Sequence, residues 1–232
     1  ASSKTNGVLL KNNTAYVDLN DKYNAKQIMI KVLSTYNGDA WGDVEGVQTL
    51  VTCADFKLFN QYQNSKPLDK RNDALDRSNW SVMSYNDKNQ EYYELGHPEE
   101  GNPQYLIDGN TKTWWHTTYR NESTQNSGKN LDVPYYVVVD LSKDDAKAVD
   151  FKSFSWTNRG FQNENAGANG IVTKYKFYIT NDDSVVKPYI EGTKTFNKSW
   201  IDVTDTIVGC EVENVENNET TIGRMRYGTI NP

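Results

Sequence analysis

Tyr105-Leu106-Ile107-Asp108-Gly109-Asn110-Thr111-Lys112-Thr113-Trp114-Trp115-His116-Thr117 sets a carboxylate, a turn glycine, threonines, two indoles and one of the chain's 2 histidines side by side. Apolar Leu106 and Ile107 run into Asp-Gly-Asn, which is strong turn chemistry because Gly and Asn accept left-handed backbone that other side chains avoid. The stretch therefore folds back on itself. Oxygens of Asp108, Asn110, Thr113 and the intervening carbonyls would then converge, the hard-donor geometry that Ca²⁺ prefers. A plain turn is the competing reading of any Asp-Gly pair. Trp114 and Trp115 are adjacent, so an extended strand sends them to opposite faces and one of them into the core.

Outward from this turn the chain is a succession of short strand patterns. Thr14 to Leu19 alternates, and Gln27 to Ser34 is β-branched and apolar. Gln48 to Phe59 reads as one long or two short strands, reached through the turn-rich Asn37-Gly38-Asp39-Ala40-Trp41-Gly42-Asp43. Past a polar stretch from Asn60 to Ser78, strands follow at Trp80–Tyr85, Tyr135–Leu141, Phe151–Thr157, Lys174–Thr180 and Ser199–Val203, with a weaker one at Thr220–Met225. Helical periodicity is confined to a single turn at Asp144–Val149. Many short strands with turn signals between them predict an all-β protein, a jelly-roll β-sandwich.

Composition agrees and excludes other classes. Aromatic residues make up 12% of the 232, with Asn, Asp, Thr and Gly crowding the stretches between them, a mixture suited to strands joined by polar loops. A net charge of −6 without a basic cluster argues against nucleic acid as a partner. No apolar run of roughly eighteen residues is present, so no helical membrane span is expected. Ala1-Ser2-Ser3-Lys4 lacks an apolar signal core, so any export signal is expected to have been removed or to lie outside this sequence. Cys53 and Cys210, far apart, fit no zinc spacing; they allow one disulfide, or two separate buried thiols, the preferred reading because free Cys packs as a small hydrophobe.

Asp108-Gly109-Asn110, Thr113 and Trp115-His116-Thr117 together resemble the signature of discoidin, or coagulation-factor type C, domains, as found in family 32 carbohydrate-binding modules. The resemblance extends over about residues 79 to 203. It takes in Trp80-Ser81-Val82, Tyr136-Val137-Val138-Val139-Asp140-Leu141, Arg159, Asn169-Gly170-Ile171 and Lys174 to Asp182. Family members close with a small residue, an acid and an apolar residue, and nothing of the kind follows Trp200. Residues 14 to 59 resemble that closing part instead, ending in Ala54-Asp55-Phe56. The chain is therefore divided into a β segment at 1–64, a linker at 65–78 and a discoidin-like sandwich at 79–232. The first segment either completes the same sandwich, the favoured reading because half a sandwich has little to bury, or is the tail of a preceding tandem domain.

The resemblance implies a galactose-binding-like fold and a structural Ca²⁺ held by Asp108, Asn110 and Thr113, with Asp55 as the distant ligand if the halves join. It gives Trp115 to the core. It implies glycan contacts from His116 and Arg159, the latter offering a planar fork of donors that suits vicinal hydroxyls. Trp41 has its own physical case: an indole flanked by Gly38, Asp39, Gly42 and Asp43 resists deep burial, and an exposed ring fits the C–H face of a pyranose. Asn169, Tyr119 and Phe161 are further ligand candidates. No nucleophile elbow and no histidine metal motif is present, so the reading is not an enzyme but a calcium-stabilised carbohydrate-binding module. It is expected at the cell surface, in the periplasm or secreted, as part of a larger multidomain protein. A structural or adhesive domain that contacts protein is the alternative.

Overall fold

Alternation in Thr14–Leu19 and the β-branched run from Gln27 become the two longest N-terminal strands, β1 (Asn13–Ala25) and β2 (Gln27–Tyr36). The computed structural model describes residues 13–36, 51–64, 66–67, 70–86, 91, 101–117, 134–142, 147–159, 170–182, 184, 186–214 and 219–221. After β2 come β3 (Thr52–Cys53), β4 (Asp55–Phe59), β5 (Ser81–Tyr85), β6 (Trp115–His116), β7 (Tyr135–Asp140) and β8 (Val149–Thr157). β9 (Ile171–Thr180), β10 (Ile201–Asp202), β11 (Ile207–Asn214) and β12 (Glu219–Thr221) complete the set, and the helical elements among the described residues are short 3-10 turns such as Pro103–Leu106.

The strands form two five-stranded antiparallel sheets, ordered β12-β11-β1-β8-β4 and β10-β9-β2-β7-β5, with a small β3-β6 pair beside them. The chain is thus an all-β sandwich, as its strand pattern predicts. β2 lies between β7 and β9, with Ile28 opposite both Val139 and Ile179, and β1 lies between β8 and β11. The N-terminal strands are therefore the middle of both sheets and complete this sandwich.

Side chains alternate across each sheet and the inward set makes the core. Ala15, Val17 and Leu19 of β1 face Ile28, Ile30 and Val32 of β2 across it, joined by Tyr135, Val137 and Val139 of β7. Phe154 of β8 stacks on Phe177 of β9 at 4.6 Å with planes 2° apart, a direct ring contact from one sheet to the other.

Both outer faces are also covered. On the first sheet, the Asp18 carboxylate accepts N–H bonds from Gln63 (2.8 Å) and Asn64 (3.0 Å), and the Arg71 guanidinium lies 4.7 Å over the Tyr16 ring. Ala74 bridges to Phe59, and Leu75 N–H donates to the Leu58 carbonyl. The described part of 65–78, predicted as a linker, is therefore packed on the sandwich: its polar composition is used in bonds to the sheet, not to span a gap. On the second sheet, Met29, Tyr136, Val138 and Tyr178 are buried beneath Val186, Tyr189, Phe196 and Trp200, with the Tyr136 and Tyr189 hydroxyls 2.7 Å apart.

Three details differ from the strand pattern read in the sequence. β11 was not foreseen, the weak C-terminal strand lies at Glu219–Thr221, and Val149 opens β8 where a helical turn was predicted; the earlier part of that turn, 144–146, and residues 222–225 lie outside the described residues.

Candidate functional site

The register places several chain segments at one end of the sandwich. Tyr36, where β2 ends, is opposite Ile171, where β9 begins; Thr157, where β8 ends, is opposite both Thr14 and Asp55. The small β3-β6 pair ties these segments together. Val51 accepts from Thr117 N–H (3.0 Å), Thr52 N–H donates to Gly170 O (3.0 Å), and Ala54 N–H donates to Thr157 O (2.8 Å). The stretches 37–50, 118–133 and 160–169 all leave and re-enter at this loop end. Trp41, Tyr119, Phe161 and Asn169 belong to those stretches and lie outside the described residues. Arg159, two positions past β8, is half-buried at the same end.

His116 is not a surface donor. It is fully buried in β6, paired in register with Thr52, and its Nδ1 lies 2.8 Å from the Thr117 carbonyl. A sugar hydroxyl cannot reach a side chain with no accessible surface, so its predicted ligand role is corrected to bracing the base of the loop end. Trp115 is in the core with no exposure, as predicted, while Trp114 on the opposite face is 5% exposed. Both faces of this short strand are covered, and so both indoles are buried.

Cys53 is a free, buried thiol. Burial first, and then the nearby Asp55 charge, push it well above the ordinary thiol range, which makes it an inert packing group.

The Asp108 turn forms as its sequence dictates, with Gly109 at φ +77°. Its polar groups serve each other. Asp108 Oδ1 accepts from Asn110 N–H (2.8 Å) and Oδ2 from the Thr113 hydroxyl (2.5 Å), while Asn110 Oδ1 accepts from Lys112 N–H (3.1 Å). Asp108 and Asn110 are exposed and Thr113 partly so.

Asp55, predicted as the distant ligand, is 2% exposed and held by two cations. Arg77 Nη1 donates to its Oδ1 (2.5 Å), and Lys57 Nζ lies 3.0 Å from its Oδ2. The same Nη1 donates to the Phe56 carbonyl (2.8 Å), and Nη2 comes so close to the turn that a Cβ on Gly109 would lie 3.3 Å from it. Calcium takes roughly six to eight oxygens, carboxylates foremost. Here the strand acid is neutralised by two nitrogen cations and the turn acid is occupied by donors of its own turn. A guanidinium fills the approach between them. Among the described residues no three of His, Cys, Asp and Glu come together as a metal-binding group. The four residues Asp108, Asn110, Thr113 and Asp55 therefore do not fit a divalent ion bridging turn and strand.

Arg77 was missed in the sequence because it sits inside the supposed linker. The available signal was local: Asp76 Oδ1 and Oδ2 accept from the Ser78 N–H and hydroxyl, an Asx turn that presents the intervening side chain. Those bonds, the backbone one foremost, hold the Asp76 carboxyl below the usual carboxylate range. A separate concavity of about 190 Å³ lies at the other end of the sandwich, between Asp76, Asn79, Trp80, Ser142, Lys147 and Val149. Among the described residues, no helix is long and apolar enough to cross a membrane. No protein-family model matches the chain, and no curated protein matches it.

Proposed function

We propose that the chain is a non-catalytic module that binds glycan through the loops at one end of its sandwich, outside the cytoplasm and as part of a larger protein. The observation that carries this reading is the convergence of the segments flanking 37–50, 118–133 and 160–169 on a single rigid base, the β3-β6 pair with Gly170 and Thr157 bonded to it. Of the remaining candidate contacts, Arg159 stands at that end, and Trp41, Tyr119, Phe161 and Asn169 fall within those three stretches of the sequence. The design uses loops for contact and strands for rigidity.

The chemistry required is modest. An indole offers an apolar plane for the C–H face of a pyranose, and Arg159 and Asn169 supply donors for its hydroxyls. Affinities from millimolar to micromolar correspond to roughly 4–8 kcal/mol, within reach of one stacked ring and a few hydrogen bonds. A glycan array followed by calorimetry tests the reading: the wild-type chain is expected to bind at least one oligosaccharide, and Trp41→Ala to weaken that binding at least about tenfold, or 1.4 kcal/mol. Absence of any sugar response, or an unchanged affinity in Trp41→Ala, would overturn it.

A further inference from the structure

The strand opening at Asp55 needs a cation beside it, and the turn at Asp108 lies against the same one. Asp55 is buried at the edge of its sheet, and an isolated ionised carboxylate in that position is strongly disfavoured. The turn, for its part, is exposed and satisfied by its own bonds, and the buried Leu106 and Trp115 on either side of it fix where it leaves and rejoins the sandwich, close beside that acid's partner. Arg77 is that cation. One prong of its guanidinium holds the Asp55 carboxylate and the Phe56 carbonyl, and the other abuts Gly109. Its backbone is fixed as well, since the Arg77 carbonyl accepts from Trp80 N–H at 3.0 Å. Gly109 fits this approach on two counts: its φ of +77° is one that side chains resist, and a methyl group there would crowd Nη2.

We propose that Arg77 is a built-in cation that does the work a bridging Ca²⁺ would otherwise do, tying the Asp108 turn to the Asp55 strand and making the fold independent of calcium. A planar guanidinium with five donors suits this place better than lysine, because it can serve an acid, a carbonyl and the face of a turn together. Lys57, the second cation on Asp55, is 37% exposed and reaches the other carboxylate oxygen. The positive charge needed at the buried acid is thus supplied by the chain itself.

Two measurements on the whole chain decide it. Calcium chloride titrated calorimetrically into the wild-type protein is expected to give no binding heat, and thermal unfolding in calcium and in EDTA is expected to coincide within about 1 °C, less than 1 kcal/mol for a chain of this size. Arg77→Ala is expected to lower the melting temperature by about 10 °C, and Arg77→Lys by less, since it keeps the charge and loses the fork. A calcium-dependent rise of several degrees in the wild type, or Arg77→Ala melting with the wild type, would overturn the proposal. If Arg77→Ala does not fold, the calcium titration of the wild type and the Arg77→Lys melt still decide it. Sugar binding is read separately, so a failure here leaves the glycan result standing, and the reverse.

Discussion

The two ends of the sandwich close in different ways. At one end β1 turns into β2 through the single residue Lys26, whose N–H donates to Thr180 O and whose carbonyl accepts from Leu141 N–H, so the ends of β1, β2, β7 and β9 meet at one residue. The long connections that leave this end or the neighbouring edges are used on the outer faces of the sheets, as Gln63–Leu75 and Val186–Trp200 show. At the other end the connections are long too, yet they leave from a base of short cross-links, Thr117 to Val51, Thr52 to Gly170 and Ala54 to Thr157. Closure through a single residue at one end, and a cross-linked base from which long connections leave at the other, is the division expected of a scaffold that carries its recognition in loops.

Perturbing each end in turn sharpens that contrast. The largest effect is expected from Trp80→Ala, which removes a 6% exposed indole from the core at the closed end: about 3–5 kcal/mol of stability in urea unfolding, with sugar affinity unchanged while the protein is folded. Asp55→Asn should cost about 3 kcal/mol, because it leaves the largely covered Arg77 guanidinium, 14% exposed, without its acid. Gly109→Ala should cost about 1–2 kcal/mol through its positive φ and the crowding of Nη2, read as a lower melting temperature. Asp108→Ala is smaller, about 1 kcal/mol, since it removes exposed bonds within one turn.

The smallest effect is a pH dependence at the pair Lys176–Asp202, 2.8 Å apart on the second sheet. Burial raises the Asp202 carboxyl, but bonds from Lys176 and Thr204 outweigh it and hold it below the usual range, while the bond to Asp202 raises Lys176. A lowered acid contributes stability above its unfolded value and loses it as pH falls through the folded value. The raised lysine contributes below about 10.5 and loses it as pH climbs past that. With both side chains more than a third exposed, the pair is worth about 0.5 kcal/mol. Unfolding curves of Asp202→Asn and wild type should converge in acid and differ slightly at neutral pH.

Much of the fold was legible because burial and alternation coincide. In Thr14–Leu19, Gln27–Val32 and Tyr135–Leu141 the inward residues are aliphatic or aromatic, so period and composition say the same thing. β11 gave no such signal, since Ile207 to Asn214 interrupts its apolar residues with Gly209 and two glutamates. It forms because β1 offers an edge, and Gly209 stands opposite Asp18 where the Asn64 amide nitrogen would lie 3.1 Å from any Cβ. The site was less legible for a related reason. His116 looked available because histidine is polar, and its burial is decided by Val51–Cys53, far away in sequence. Asp55 and Asp108 have the same side chain and opposite surroundings. The sequence pattern grouped them, and only the fold shows a guanidinium from a third segment between them.

The proposed location of the recognition surface is tested directly by adding an oligosaccharide that the protein binds to isotopically labelled protein and following the backbone amide resonances. Shifts are expected at Val51, Thr117, Asn158, Arg159 and Gly170, with Trp80 and Val149 beside the opposite concavity unmoved. Shifts confined to Trp80, Ser142, Lys147 and Val149, with the loop end silent, would contradict the account.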